Sequence, residues 1–206
     1  YSSGNKFNLG RVYFFDYVSA TNSWSFAASW QGGVSNSRVG HTVALDAAGS
    51  TLFVGRPDEF GSGLEPSVDV HRRSADGTWS TATGVSRDSN GFASSIDAND
   101  LGNVLSVADA SGGAVTVYFG DGRSWNPVGS DVAVGGSWAP VTALSGSGLV
   151  VATSGIGSPV SVRSAGLFGW MPRGSTLPWA VALDVNVDGT VIVTSQGVYR
   201  FGVRPS

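Results

Sequence analysis

Cysteine is absent from all 206 residues of the chain, and histidine occurs only twice. Without thiols the protein can form no disulfide, hold no metal through thiolates and use no cysteine nucleophile. This absence does not decide the compartment, because a chain of this length can be stabilised by its hydrophobic core alone.

Charge is also scarce, and no part of the chain is strongly basic. Charged residues make up 13% of the sequence, and the 12 Lys and Arg residues are scattered rather than clustered. No basic stripe is available for a phosphate backbone, so we expect no nucleic-acid partner. No apolar run approaches the roughly 18 residues of a transmembrane helix, so we also expect no membrane span.

Glycine and apolar residues are what the chain has in quantity. There are 30 glycines, 41% of the residues are hydrophobic, and serine, threonine and valine are frequent. This mixture is typical of short strands joined by tight turns, because β-branched residues suit a pleated sheet and glycine suits turns. The sequence therefore predicts an all-β protein.

A degenerate repeat runs through the chain, and its first half consists of two apolar runs around a small or acidic turn. The clearest copy has its runs at 41–45 and 51–55. Three further copies have paired runs at 92–96 and 104–108, at 140–144 and 149–152, and at 179–183 and 190–193.

The second half of the repeat is an alternating strand, a turn and a tryptophan. The strands at 12–15, 68–71, 115–118 and 160–163 lead to Trp24, Trp79, Trp125 and Trp170, and a last strand at 198–201 has no tryptophan after it. The tryptophans step by 55, 46 and 45 residues, and the first interval is longer because the loop around 57–66 is expanded.

Each unit predicts a sheet of four short strands, and units of about 45 residues are typical of propeller blades. Stacked sheets cover one another's faces, and the repeated tryptophan is expected to fill the space between them. We predict one β-propeller domain over 1–206, with units at 1–37, 38–86, 87–135, 136–175 and 176–206, of which the first and last are partial. The protein is then either a propeller of about five blades or an incomplete segment of a larger one.

The stretch 39–57 reads VGHTVALDAAGSTLFVGRP and resembles the FG-GAP repeat of integrin α-subunit propellers and their bacterial and algal relatives. That pattern has a Val-Ala-Leu strand, an Asp-Gly turn and a Val-Gly-Ala-Pro close. The strands at 12–15 and 115–119 are similar to the Val-Tyr-Val-Phe strand that follows in the family. The resemblance implies a propeller, commonly seven-bladed, that serves adhesion or protein interaction.

Some blades of that family bind Ca²⁺ through alternate oxygen ligands of an acidic loop. Asp184, Asn186 and Asp188 match the first ligand positions, whereas Ile192 stands where the last carboxylate belongs. Calcium at Asp184, Asn186 and Asp188 is therefore the one cofactor that the sequence suggests. The alternative is a plain hairpin turn, which favours the same residues.

No catalytic constellation can be recognised in the sequence. It has no Gly-x-Ser-x-Gly elbow, no His-Glu-x-x-His pair and no phosphate-binding glycine-rich loop. The two histidines are expected to be packed or superficial. The acid pairs Asp58 with Glu59 and Asp97 with Asp100 are expected to be solvated loop charge. We therefore predict no catalytic residue and a protein that is not an enzyme.

The leading hypothesis is a non-enzymatic module, extracellular or at the cell surface, that mediates adhesion or assembly through protein–protein contacts. It rests on the integrin-like repeat and the low charge. The expanded loop 56–66 is the candidate contact surface, because long loops often carry function. An open propeller exposes strand edges and sheet faces, so a protein partner or self-assembly is expected.

Two alternatives belong to other classes of function. The first is a carbohydrate-binding propeller, because Trp30, Trp138 and Trp179 lie outside the repeated tryptophan position and could stack on a glycan. The second is a hydrolase or lyase whose site is assembled from several loops on a propeller scaffold.

Overall fold

The polypeptide forms short strands that follow one another directly along the chain. The computed structural model describes residues 7–58, 63–121, 123–135, 139–167 and 169–201. These ranges contain no helix, and therefore none that is long and apolar enough to cross a membrane. The strands are β1 (Arg11–Val18), β2 (Ser23–Gln31), β3 (Thr42–Leu45), β4 (Thr51–Arg56), β5 (Ser67–Arg73), β6 (Trp79–Ser86), β7 (Phe92–Ala98), β8 (Val104–Asp109), β9 (Ala114–Gly120), β10 (Trp125–Pro127), β11 (Val132–Ala133), β12 (Val141–Leu144), β13 (Val150–Gly155), β14 (Ser158–Gly166), β15 (Gly169–Pro172), β16 (Leu183–Val185), β17 (Val191–Thr194) and β18 (Gly197–Arg200).

The strands form five antiparallel sheets in chain order. The first sheet is β1-β2, the second β3-β4-β5-β6 and the third β7-β8-β9-β10, with β11 also paired to β9. The fourth is β12-β13-β14-β15 and the fifth is β16-β17-β18. First strands of successive sheets lie next to one another, as in radially arranged blades. The predicted all-β propeller architecture is thereby confirmed.

One hairpin design recurs between the first and second strand of a sheet. A polar side chain just after the first strand accepts a hydrogen bond from a backbone N–H at or near the start of the second. The pairs are Asp46 with Ser50, Asn99 with Val104, Ser145 with Val150 and Asn186 with Val191. Each turn also contains a glycine with φ between 62° and 74°, a conformation that costs other residues free energy. This requirement explains the small and acidic turns of the repeat.

The core lies at the boundaries between sheets. Three clusters of buried residues each join one sheet to the next, through Phe53 and Val70 with Phe92 and Leu105, through Val115 and Val117 with Leu144 and Val151, and through Ala152 and Val162 with Val185 and Ile192. The second strands β4, β8 and β13 are buried along almost their whole length. They therefore read as continuous apolar runs in the sequence.

The repeated tryptophan also fills these boundaries. Trp125 donates its indole N–H to the backbone carbonyl of Thr83 in the second sheet at 3.1 Å. Trp170 donates in the same way to the carbonyl of Val128, just after β10, at 3.0 Å. Each tryptophan begins the outer part of one sheet and anchors it to the outer part of the preceding sheet.

The first sheet, with two strands, packs one of its faces on the second sheet. The rings of Phe14 and Trp79 lie 4.2 Å apart, and the Arg73 guanidinium donates to the Asp16 carboxylate at 2.8 Å. Trp24 is the counterpart of Trp79 in the first sheet, and it is 70% exposed.

A groove of about 670 Å³ lies beside β1, where a complete sheet has its first and second strands. One wall is β1 and the other is the second sheet, with Val43, Leu45 and Leu52. Val43 and Leu45 are about half exposed because no strand covers them on this side. The groove is thus a consequence of sheet incompleteness rather than a shaped ligand pocket.

Candidate functional site

The first strands of the third, fourth and fifth sheets line a second groove, of about 310 Å³. Its walls include Ser95 and Asp97 of β7, Thr142 of β12 and Asp184 of β16. Three sheets contribute because their first strands converge. Two carboxylates from different sheets therefore face a groove at the lower end of the size range of small-molecule sites.

Asp97 is held by two backbone N–H groups. Its Oδ2 accepts a hydrogen bond from Leu144 of the fourth sheet at 2.6 Å, and its Oδ1 accepts one from the adjoining Ala98 at 2.8 Å. Burial nevertheless raises the pKa of Asp97 to about 6, because desolvation outweighs these two bonds; the charge of Asp184 raises it further. A carboxyl group with a pKa near 6 can exchange protons close to neutral pH, as a catalytic acid or base must.

Asp184 occupies the equivalent position two sheets further along the chain. Asp97 pairs across its hairpin with Ser106, and Asp184 pairs in the same way with Val193. The Oδ1 of Asp184 accepts a hydrogen bond from the adjoining Val185 at 2.8 Å, as that of Asp97 does from its own neighbour. Unlike Asp97, Asp184 is exposed to solvent.

The interpretation of Asp97 and Asp100 as solvated loop charge is wrong for Asp97. Asp97 lies on β7 and is partly buried, whereas Asp100 lies in the following turn. The signal is present in the repeat: the position of Asp97 and Asp184 is alanine in the second and fourth sheets, at Ala44 and Ala143. A carboxylate at a strand position that is otherwise alanine has no packing reason to be there, and that contrast could have identified the site.

The predicted calcium loop folds as the recurrent hairpin turn. Asn186 donates from Nδ2 to Oδ1 of Asp188 at 2.7 Å. Bonds from Thr190, its hydroxyl first, lower the pKa of Asp188. Asp184 instead faces the groove that contains Asp97. Within the described ranges no three His, Cys, Asp or Glu side chains form a group that could hold a metal. Calcium binding by these three residues stays a prediction.

The expanded loop after β4 lies partly outside the described residues, since 59–62 are not described; Glu59 is among them. Asp58 is buried, and its Oδ2 accepts a hydrogen bond from Gly63 N–H at 3.3 Å. The prediction that Asp58 is solvated is therefore wrong. A contact role for the loop 56–66 stays a prediction.

The histidines are located as predicted, one packed and one on the surface. His71 stacks on Trp30 with ring centroids 4.2 Å apart, and burial lowers its pKa. His41 is exposed. Of the tryptophans considered for glycan stacking, Trp30 is used in this packing, Trp138 lies outside the described residues, and Trp179 is 45% exposed.

Stacked antiparallel sheets with converging first strands, a core between sheets and a carboxylate-lined groove at the inner edge define a protein of the β-propeller class. No family model matches the chain, and no curated protein matches it in sequence.

Solved structures share the fold. A proposed 6-phosphogluconolactonase from Bacteroides uniformis is similar with a TM-score of 0.62 and 11% identity, over 88% of this chain and 56% of its own. A protein of unknown function from Desulfotomaculum acetoxidans is similar with a TM-score of 0.63 and 10% identity, over 91% and 57%. The periplasmic gluconolactonase of Pseudomonas aeruginosa is similar with a TM-score of 0.58 and 19% identity, over 89% and 56%. The chain thus spans somewhat more than half the length of these proteins.

These neighbours correct the assignment to the integrin-type FG-GAP repeat. The similar structures are propellers named as lactonases, and no family model matches. The stretch 39–57 resembles the integrin pattern because it encodes β3, the hairpin turn and β4, a unit that propellers of different families share.

The functional prediction is corrected as well. A non-enzymatic adhesion or assembly module, with its integrin-like and structural-protein character, is contradicted by neighbours whose names are those of hydrolytic enzymes. The prediction that the protein is not an enzyme is contradicted for the same reason. The hydrolase alternative fits these neighbours better.

Proposed function

We propose that the protein is a hydrolase that opens small lactones, and that Asp97 and Asp184 are the polar centre of its site. The observation that carries this proposal is the partly buried Asp97 carboxyl, with a pKa of about 6, in an accessible groove that also contains Asp184. The names of the structural neighbours, a 6-phosphogluconolactonase and a gluconolactonase, support lactones as the substrate class.

Lactone hydrolysis needs a base that activates water and an acid that protonates the departing ring oxygen. Above its pKa, Asp97 accepts a proton from a water molecule in the groove, and the water oxygen bonds to the lactone carbonyl carbon. The ring C–O bond breaks when the tetrahedral intermediate collapses. The departing oxygen takes the proton back from Asp97, and the product is one hydroxy acid.

Other groups of the groove have supporting roles. The Asp184 charge keeps Asp97 basic by raising its pKa. The Ser95 hydroxyl accepts a hydrogen bond from the Thr142 N–H at 3.3 Å, so its own proton is available to a carbonyl oxygen or a sugar hydroxyl. The two hydrogen bonds that Asp97 accepts orient its carboxylate before substrate arrives, and such preorganisation lowers the barrier.

We also propose that the protein acts outside the cytoplasm, in the periplasm or the extracellular space. One structural neighbour is named as periplasmic. Fractionation of cells that express the protein from its natural gene tests this, and recovery in the cytoplasmic fraction alone contradicts it.

The activity is tested with a panel of simple and sugar-derived γ- and δ-lactones, with acid release followed against spontaneous hydrolysis. We expect an enzymatic rate that rises with pH through about 6, as Asp97 loses its proton. Asp97→Asn is expected to lower kcat/KM by at least about a hundredfold. Asp184→Asn is expected to shift the rise to lower pH, because the pKa of Asp97 then falls.

Asp121→Asn is the matched control. Asp121 caps an outer turn, where it accepts hydrogen bonds from the N–H groups of Arg123 and Ser124, away from the groove. This variant is expected to keep the full rate. Failure to accelerate any lactone of the panel, or an Asp97→Asn variant as active as the control, refutes the proposal.

A further inference from the structure

The first sheet has an aromatic face that no described strand covers. We call it the leading face; it consists of Tyr13, Phe15 and Tyr17 of β1 and Trp24 and Phe26 of β2. The register places Phe15 opposite Phe26 and Tyr17 opposite Trp24, so all five point to the same side. Each is between 51% and 70% exposed. Ser29 is opposite Tyr13 on this face, so the face carries no charged side chain.

Equivalent faces elsewhere in the chain are covered by the preceding sheet. Trp125 and Trp170, at the position of Trp24 in their own sheets, donate to backbone carbonyls of that sheet, and Trp79 packs on Phe14. The leading face therefore has the composition and layout of an inter-sheet contact.

The fifth sheet has the complementary surface. We call it the trailing face; it consists of Val193, Val198 and Arg200, with Asp184 at its inner margin. Val193 and Val198 are paired and are 46% and 62% exposed. The equivalent pairs are Phe53 with Val70 and Ala152 with Val162, and these are buried against the following sheet.

We propose that two copies of this chain associate, with the leading face of one packed on the trailing face of the other, as successive sheets pack within the chain. The contact is a continuation of a boundary that the chain already forms between its own sheets. Arg200 supplies a guanidinium that can stack on the uncharged aromatic rings of the partner. The result is an association of enzyme molecules and goes beyond the proposed hydrolase activity.

The available area suits a dimer. Five aromatic side chains, each more than half exposed, present roughly 500 Å², and the apolar groove beside β1 adds to this. A standard interface buries about 800 Å² on each partner. Head-to-tail contacts form a closed ring or an open filament. Because one copy spans more than half the length of the similar propellers, two copies suffice for a ring, so we infer a closed dimer.

Molar mass in solution tests the association, measured for the 206-residue chain from about 1 to about 100 µM. The unaltered chain is expected to double its mass within this range. Trp24→Ser, in the leading face, and Val198→Asp, in the trailing face, are each expected to raise the dissociation constant at least tenfold. Leu167→Ser is the control, because Leu167 is 98% exposed in the outer turn of the fourth sheet. Circular dichroism checks that each variant folds.

Mixing the two variants decides the geometry. Trp24→Ser retains an intact trailing face and Val198→Asp an intact leading face, so the mixture is expected to form a dimer through one contact, while each variant alone is monomeric. An unaltered chain that is monomeric throughout overturns the proposal. So does a mixture that stays monomeric, or a dimer that Trp24→Ser abolishes and Val198→Asp leaves intact.

Discussion

Asp97→Asn isolates the free-energy cost of placing a carboxylate in the inner groove. Burial raises the pKa of Asp97 from 3.8 to about 6. Each unit of pKa corresponds to about 1.4 kcal/mol, so the charged carboxylate lowers the free energy of unfolding at pH 7 by about 3 kcal/mol. Asparagine has nearly the same shape and keeps an oxygen that can accept the hydrogen bond from Leu144.

The direction of the pH dependence follows from proton binding. The pKa is higher in the folded protein, so between about pH 4 and pH 6 the folded chain holds more protons at Asp97 than the unfolded chain does. The Asp97 contribution therefore lowers the free energy of unfolding as pH rises through this window. Exposed turn residues contribute the opposite trend; Asp76 is one, and the Ser74 hydroxyl lowers its pKa to about 2. The difference between the variant and the unaltered chain cancels their contributions.

Urea unfolding followed by circular dichroism at pH 4, 5, 6 and 7 measures this difference. Asp97→Asn is expected to match the unaltered chain near pH 4 and to exceed it by about 3 kcal/mol at pH 7. Asp97→Ala is the control, because it removes the acceptor of the Leu144 N–H and is expected to be about 1–3 kcal/mol less stable than Asp97→Asn at every pH. A difference between Asp97→Asn and the unaltered chain that does not change with pH refutes the reasoning.

Three further predictions concern the boundaries between sheets and the turn. Trp170→Phe leaves the Val128 carbonyl without its indole donor, and thermal or urea unfolding is expected to show a loss of about 1–2 kcal/mol. Val151→Ala removes two methyl groups from a fully buried site and is expected to cost about 2 kcal/mol; an unchanged stability contradicts the core assignment. Millimolar Ca²⁺ is expected to leave the melting temperature unchanged, because turn contacts already occupy the oxygens of Asp188; a rise that Asp188→Ala abolishes establishes the calcium site instead.

The local features of this fold could be predicted from the sequence. Strand, turn and tryptophan recur because each hairpin needs a capping side chain and a glycine at positive φ, and these requirements act within about ten residues. Asp46, Asn99, Ser145 and Asn186 are such capping residues. The family could not be read from the same pattern, because the stretch 39–57 encodes only a hairpin that many propellers share.

The candidate site depends on contacts between sheets. Asp97 and Asp184 are 87 positions apart, and only the convergence of β7, β12 and β16 places them on one groove. The raised pKa of Asp97 likewise arises from burial against the next sheet. The sequence alone determined the repeat, the short strands and their turns, because hydrogen bonding and backbone conformation there are local. The tertiary structure decided which carboxylates are solvated and which are buried, because desolvation depends on the sheet that packs against a strand, and that sheet is encoded some 45 residues away.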